Sequence, residues 1–331
     1  MRKYSTITVL KPPIMHNAEG EQRRVGFELE LSGLELEQIA NATVRLYGGE
    51  ILKENPYRYR VENTLLGTFT IEVDLTLLKD MVIQNYFEDI GIKDNQIRGT
   101  IENIIAKMAS TVVPYEIVFP PIVIDQIETL DPLREALFRQ KALGTGASAV
   151  YAFGLHINPE TPSFTVEVIL SYLRAFFLLY DWLKEKTKVN LMRRITPFIN
   201  PFPKKYVFQV LDEFYSPTLE TLMDDYLTYN QTRNRPLDML PLFASLDKER
   251  ILARIDDILI KPRPTFHYRL PNSLVDDPSW RISQEWNNWV QVEKLAFDKE
   301  KMAMMSREYM KRQKSPWRHL QDWAKRVEYW L

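Results

Sequence analysis

Apolar and acidic residues alternate along the segment 23–33, and this alternation restricts the fold more than any other feature of the chain. The apolar side chains occupy every second position, at Val25, Phe27, Leu29 and Leu31. Glu28 and Glu30 lie in the alternate positions. Successive side chains of a β-strand point to opposite faces, so the segment is predicted to be a strand. One face would be buried, and the other would carry both carboxylates.

Four later segments, 67–75, 114–121, 150–160 and 264–272, repeat this alternation. Their polar positions are Glu72, Asp74, Glu116, Gly154, His156, Asn158, His267 and Arg269. A single strand of this kind is typical of a half-solvated antiparallel sheet. Five such strands would gather carboxylates, imidazoles and a guanidinium, which suit Mg²⁺ or Mn²⁺ and phosphate oxygens. The pattern alone leaves two interpretations open, a solvated sheet face and a metal–phosphate site.

The remaining patterns predict a mixed α+β chain. A β-branched and aromatic run predicts a strand at 43–47, and a strand at 57–61 precedes the one at 67–75. Asp131 and Pro132 begin a predicted helix that ends near Leu143. Apolar residues at spacings of three and four predict further helices. These helices span 77–91, 96–110, 163–188, 211–229 and 247–258.

Composition excludes several classes of protein. The chain has 331 residues, no cysteine and a formal net charge of −1. The lack of cysteine excludes disulfides, thiolate metal sites and thiol nucleophiles. Because the net charge is near zero, we expect no nucleic-acid partner. The most apolar window, 166–183, contains three charged residues, and no apolar signal segment is seen, so we expect a cytoplasmic protein without membrane association.

The C-terminal part, 276–331, contains six of the seven tryptophans. It is predicted to form two or three helices that pack on a main domain at 1–275. An aromatic and basic surface of this kind could instead bind a peptide or nucleic-acid partner. The sequence leaves the oligomeric state open.

Five motifs, in order RVGFELE, TIEVDLT, YEIVFPP, GLHINPE and FHYRLPNS, extend from about Arg24 to about Leu274. In this order they resemble the putative amidoligase family, ATP-dependent carboxylate–amine ligases related to glutamate–cysteine ligase and glutamine synthetase. The resemblance implies the curved antiparallel sheet of that superfamily, with helices on one side and the active site on the concave face. The helical C-terminal part would be an extension of this fold.

The resemblance also implies site residues. Its metal ligands would be Glu28, Glu30, Glu116, His156 and His267, and its cofactors ATP and Mg²⁺ or Mn²⁺. Arg269 would contact the ATP phosphates. His267 is a departure, because the related ligases usually carry glutamate at this position. That difference bears on the number of bound metals and on activity.

The implied reaction is acyl activation. A substrate carboxylate attacks the γ-phosphate of ATP, and an amine then displaces phosphate from the acyl phosphate to form an amide or isopeptide bond. Glu72 or Asp74 would accept the amine proton, and Arg269 would stabilise the phosphates. Arg193 and Lys205 are candidates for phosphate binding, and Arg194 and Asn158 for substrate binding. Solvated loop charges and a turn cap are the simpler alternatives for these four residues.

The carboxylate and the amine remain unidentified, and an amino acid, a peptide or a protein terminus would each suit the reaction. Peptide modification is therefore one expected role. Two rival functions keep the same polar face. A phosphotransferase of the same superfamily would pass phosphate to a stable acceptor, and a degenerate member would serve as a scaffold or binding module.

Overall fold

The computed structural model describes residues 7–74, 114–147, 152–189, 193, 199–255, 257, 259–314 and 322–331. The predicted helices at 77–91 and 96–110 and the candidate Arg194 lie outside these residues. In the described part, helices and one antiparallel sheet make up a mixed α+β fold, which confirms the predicted class. None of the described helices combines the length and apolar character needed to cross a bilayer.

Nine strands form the sheet in the described residues. They are β1 (Arg24–Leu31), β2 (Glu50–Asn55), β3 (Arg58–Thr64), β4 (Gly67–Val73), β5 (Tyr115–Val118), β6 (Ile122–Val123), β7 (Leu155–Pro159), β8 (Leu237–Asp238) and β9 (His267–Tyr268). Their order is β2-β3-β4-β5-β1-β7-β9-β8, with β6 beside one end of β1, and the sheet does not close into a barrel. The strand predicted first in the sequence, β1, therefore lies in the interior of the sheet.

Ten described α-helices accompany this sheet. They are α1 (Leu36–Tyr47), α2 (Asp131–Arg139), α3 (Val166–Lys186), α4 (Lys204–Leu211), α5 (Leu219–Tyr229), α6 (Leu240–Leu246), α7 (Lys248–Leu252), α8 (Ile282–Phe297), α9 (Lys299–Lys314) and α10 (Trp323–Glu328). A 3₁₀ helix at Ile124–Leu130 leads into α2. The C-terminal part, which was predicted to form two or three helices, has three in its described residues, α8, α9 and α10.

The apolar face of the sheet is covered by helices. Val25, Phe27, Leu29 and Leu31 of β1 are fully buried. On α3, the ring of Tyr172 stacks on Phe266 at 4.4 Å between centroids, and Trp289 of α8 lies 5.1 Å from Tyr268. Burial of these rings supplies much of the hydrophobic stabilisation of the domain.

A buried ion pair joins α8 to the residue before β1. Nη1 and Nη2 of Arg23 donate to the two oxygens of Glu293 at 2.8 and 2.9 Å, and both side chains are fully buried. Tyr172 and Trp289 donate to the same carboxylate. The helix α8 therefore packs in the same core as the sheet, and the boundary at 275/276 remains a prediction.

Three sequence predictions need correction. The predicted strand at 43–47 is the end of α1, where Oγ1 of the buried Thr43 donates to the Ile39 carbonyl. The β-branched composition of this run was misleading because its apolar residues follow a helical spacing that begins at Leu36. The helix predicted at 211–229 begins only at Leu219, as α5, because α4 ends at Leu211 and a turn follows it. The helix predicted at 247–258 is reduced to α7.

Candidate active site

The register of the central strands brings the predicted polar residues together. Across β1 and β5, Glu30 pairs with Glu116. Across β1 and β7, Glu28 pairs with His156 and Gly26 with Asn158. Directly paired residues share one face of a sheet, so these side chains project from the face opposite the helices. We call this surface the polar face.

The polar face continues on both sides of these strands. Glu72 on β4 pairs with Glu116, and Asp238 on β8 pairs with His267. Tyr268 pairs with Ile157, which places His267 beside Asn158 and Arg269 beside His156. The structure thus brings together on one surface most of the residues that the sequence suggested for metal, phosphate and proton chemistry.

Both carboxylate oxygens of Glu28 accept hydrogen bonds. Its Oε2 lies 2.9 Å from Nδ1 of His156, and its Oε1 accepts from Asn158 Nδ2 and from Arg263 Nη1, each at 3.0 Å. Burial opposes ionisation, but the hydrogen bond from His156 and the charge of Arg263 hold the pKa of Glu28 well below its usual range. Glu28 is therefore a carboxylate with two donors on Oε1 and one on Oε2.

The bonds to Glu28 fix the tautomers of both imidazoles. An ionised carboxylate only accepts, so Nδ1 of His156 carries the proton that it shares with Glu28. The amide nitrogen of Asn158 donates to Glu28, so the amide oxygen of Asn158 faces Nδ1 of His267. Because an amide oxygen only accepts, Nδ1 of His267 must carry a proton and donate. Burial lowers the pKa of His156 to about 4 and that of His267 well below its usual value. These shifts favour the neutral rings, in which Nε2 of each imidazole is the nitrogen without the proton.

The lone pair of His156 faces a carboxylate. Its Nε2 lies 3.3 Å from Oε1 of Glu30, whose Oε2 accepts the Gly154 N–H at 2.6 Å. Burial and the nearby Asp74 raise the pKa of Glu30 to about 7. Burial and the surrounding acids, Glu28 first among them, raise the pKa of Glu116 well above its usual value. Two acceptors this close repel unless a proton or a cation lies between them.

In the part of the chain that the structure describes, two groups of side chains have ligand atoms close enough to hold a divalent ion. They are Glu30, Glu116 and His156, and Glu28, His156 and His267, with the atoms of each group within 4.8 Å of one another. Carboxylates with one imidazole suit Mg²⁺ or Mn²⁺. Because Nδ1 of His156 is committed to Glu28, its Nε2 is directed to the first group. The Glu30 group is thus the better ligand set in this conformation.

The absence of a side chain at Gly154 lets Arg193 and His156 pack close together. A Cβ at this position would lie 2.8 Å from Nη2 of Arg193 and 3.2 Å from Nε2 of His156. Contacts below 3.0 Å force atoms to move, so any side chain here would displace the arginine. The guanidinium of Arg193 consequently lies beside the imidazole that faces Glu30.

Arg193 and Arg269 form a linked pair. Nη2 of Arg193 donates to the carbonyl of Arg269 at 2.7 Å, and Nη1 donates to that of Leu270 at 2.8 Å. Arg193 is buried, and these bonds fix the chain that carries Arg269. Nη1 of Arg269 donates to the Arg233 carbonyl at 2.8 Å, and its Nε is buried without a partner among the described residues. Arg269 therefore retains donors for an anion.

Three predicted residues lie toward the edges of the site or away from it. Glu72 is half-buried and pairs with Arg58 at 3.3 Å, and Asp74 follows β4 with its N–H on the Pro114 carbonyl. Lys205 is exposed on α4, whose main neighbours are the helices α3, α5 and α9. The assignments of Arg193, Arg194 and Lys205 to phosphate or substrate stay predictions.

The sequence patterns missed two residues of the polar face. Asp238 is buried, and burial raises its pKa to about 6. It lies on a two-residue strand, too short to show alternation. Arg263 precedes β9 in an irregular, proline-flanked segment, and it reaches Glu28 only through the length of its side chain.

A comparison with protein families now bears on this site. The model of a family described as "Putative amidoligase enzyme" matches residues 21–291 of the chain. The chain belongs to the putative amidoligase family. Neither the curated proteins nor the solved structures contain a match to this amidoligase chain. The matched region includes β1 to β9 and extends into α8, and membership of the family indicates a ligase.

Proposed function

We propose that this amidoligase chain is an ATP- and divalent-metal-dependent ligase that joins a carboxylate to an amine. The approach of His156 Nε2 to Glu30 Oε1 at 3.3 Å, with a ligand atom of Glu116 within 4.8 Å of both, is the observation that carries the proposal. A divalent ion between them, with Glu116 as a third ligand, would remove the repulsion. Glu28 and His267 would complete or extend this ligand set.

Each part of the polar face has a role in the proposed reaction. Arg269 binds phosphate oxygens of ATP with its free donors. Arg193 positions Arg269 by donating to the backbone carbonyl of Arg269. A bound divalent ion would supply the positive charge that lets an anionic carboxylate approach the γ-phosphate. The carboxylate oxygen bonds to phosphorus as the bond to ADP breaks, and an acyl phosphate results.

The second step takes place beside the acidic end of the polar face. The amine attacks the acyl carbon, the carbon–oxygen bond to phosphate breaks, and an amide or isopeptide bond forms. Glu72 or Asp74 accepts the amine proton, since Glu72 pairs with Glu116 across the sheet and Asp74 is close enough to raise the pKa of Glu30. The proposed substrates are amino acids or peptides, and we propose a cytoplasmic enzyme with a glutamine-synthetase-like sheet.

Turnover of candidate substrate pairs tests this function. ADP should appear only when ATP, Mg²⁺ or Mn²⁺, a carboxylate and an amine are all present, with free phosphate and an amide as the other products. Glu116→Gln removes a ligand and should lower the rate by at least about tenfold, or about 1.4 kcal/mol. Glu62→Gln is the matched control, because Glu62 pairs with Arg60 on β3, three strands from β1.

The products also separate this proposal from its rivals. A phosphorylated acceptor without free phosphate would contradict the ligase and indicate a phosphotransferase. ADP formation that is equal in the wild type and in Glu116→Gln would show that the reaction does not use the polar face.

A further inference from the structure

Arg263 is a cation of the polar face with most of its donors unused. Its Nη1 donates to Oε1 of Glu28 at 3.0 Å. Its side chain is 35% exposed, whereas that of Glu28 is 12% exposed. Nε of Arg263 is buried and has no hydrogen-bond partner among the described residues. The guanidinium is therefore bound to the site by one contact and partly reached by water.

That contact keeps Oε1 of Glu28 from a metal ion. Oε1 of Glu28 accepts from both Asn158 and Arg263, and Oε2 pairs with His156. A carboxylate oxygen with two donors has no lone pair left in reach of a cation. His156 and Asn158 are buried on β7, and Asn158 is also bound to His267. Of the three donors, Arg263 can leave with the smallest change in hydration.

The surroundings of Arg263 favour an anion. Arg233, Arg263 and Arg269 are all close enough to the buried Asp238 to stabilise its charge. Arg269 is tied through Nη1 to the Arg233 carbonyl and to Asn234, and its Nε, like that of Arg263, has no partner among the described residues. Guanidinium groups with free edges match the geometry of phosphate oxygens.

We propose that Arg263 exchanges partners, pairing with Glu28 in the free protein and with a phosphate of the metal–nucleotide complex when that complex binds. The exchange frees Oε1 of Glu28 for the cation that accompanies the nucleotide. It is a movement of the side chain alone, because the backbone N–H of Arg263 is bonded to the Pro241 carbonyl at 3.1 Å. This inference rests on the proposed function and adds a residue that couples the metal to the phosphates.

Two binding measurements with opposite expected outcomes test the exchange. Binding of Mn²⁺ alone is followed by the paramagnetic resonance of free Mn²⁺, and binding of a non-hydrolysable ATP analogue with excess Mg²⁺ by calorimetry. Arg263→Gln removes the cation that competes for Glu28, so Mn²⁺ alone should bind about threefold more tightly. The same variant loses a charge-assisted bond to phosphate, so the nucleotide should bind about tenfold more weakly.

Two further variants control this experiment. Arg60→Gln makes the same change at a side chain that is 36% exposed and pairs with Glu54 and Glu62, and it should alter neither affinity. Arg263→Lys keeps the charge and should restore most of the nucleotide affinity.

Opposite shifts in Arg263→Gln support the exchange. A parallel loss of both affinities would show that Arg263 only maintains the structure, and unchanged affinities would show that it binds neither ligand. Either result overturns this inference and leaves the proposed function standing if the wild type binds metal and nucleotide. Failure of the wild type to bind either would overturn both.

Discussion

At the scale of single residues, the two ring nitrogens of His156 contact two carboxylates that differ in their surroundings. Nδ1 bonds to Glu28, which also has Asn158 and Arg263 as donors and is stable as an anion. Nε2 faces Glu30, whose pKa burial raises to about 7. The first carboxylate orients the imidazole, and the second is the one that we propose as a metal ligand. Such a division between orienting and ligating groups is common at metal sites.

Replacement of Gly154 tests the close packing around His156. Gly154→Ala places a Cβ 2.8 Å from Nη2 of Arg193 and 3.2 Å from Nε2 of His156. We expect a loss of about 1–3 kcal/mol in the free energy of unfolding, and Mn²⁺ affinity at least about tenfold lower. Urea unfolding and Mn²⁺ titration measure these effects.

Gly26→Ala provides the control for this variant. Gly26 lies on the polar face of β1, and a Cβ there would meet Asn158 at an ordinary 3.7 Å. We expect little change in metal affinity. Equal effects of the two substitutions would contradict the role of Gly154 as the space for Arg193 and His156.

Several polar-face residues could be predicted because alternation along a strand depends only on local sequence. Glu28, Glu30, Glu116, His156 and Asn158 were placed on one face in this way. Their partners across the sheet depend on register, which the sequence did not specify. Arg263 and Asp238 were missed because neither lies in an alternating run, and their positions depend on tertiary packing.

At the scale of elements, the most strongly periodic helix and strand were predicted from sequence, whereas turns that shorten other helices were missed. The predicted helix at 163–188 is α3, and the predicted strand at 67–75 is β4. The run at 43–47 was misassigned because β-branched residues favour strands, although α1 buries Thr43 and Tyr47 on its apolar side. Tertiary packing overrode local propensity at this position.

The ion pair between Arg23 and Glu293 should be a major link between α8 and the sheet. Glu293→Gln leaves the fully buried Arg23 without a counter-charge. Breaking a buried pair in this way costs about 3–5 kcal/mol, and urea unfolding followed by tryptophan fluorescence measures the loss.

An exposed pair gives the comparison for this substitution. Glu328 on α10 pairs with Lys186 on α3, and these side chains are 50% and 44% exposed. Glu328→Gln should cost less than about 1 kcal/mol. If Glu293→Gln is no more destabilising than Glu328→Gln, α8 is not held to the sheet in the way described.

At the scale of the whole molecule, the two faces of the sheet differ in composition and in role. One face packs on α3 and α8 through aromatic rings, and the other collects the carboxylates, imidazoles and guanidinium groups. The tryptophans described in the C-terminal part contribute mainly to the packed side, since Trp286 and Trp289 are fully buried. This burial favours a packing role for that part over a partner-binding surface.

Calorimetric binding of a non-hydrolysable ATP analogue with Mg²⁺ or Mn²⁺ tests the central claim most directly. The wild type should bind the analogue only when a divalent ion is present. Glu30→Gln should weaken binding by at least about tenfold, and Glu62→Gln on β3 should bind as the wild type does. Absence of binding with both metals, or equal binding in Glu30→Gln, would contradict a metal–nucleotide site on the polar face.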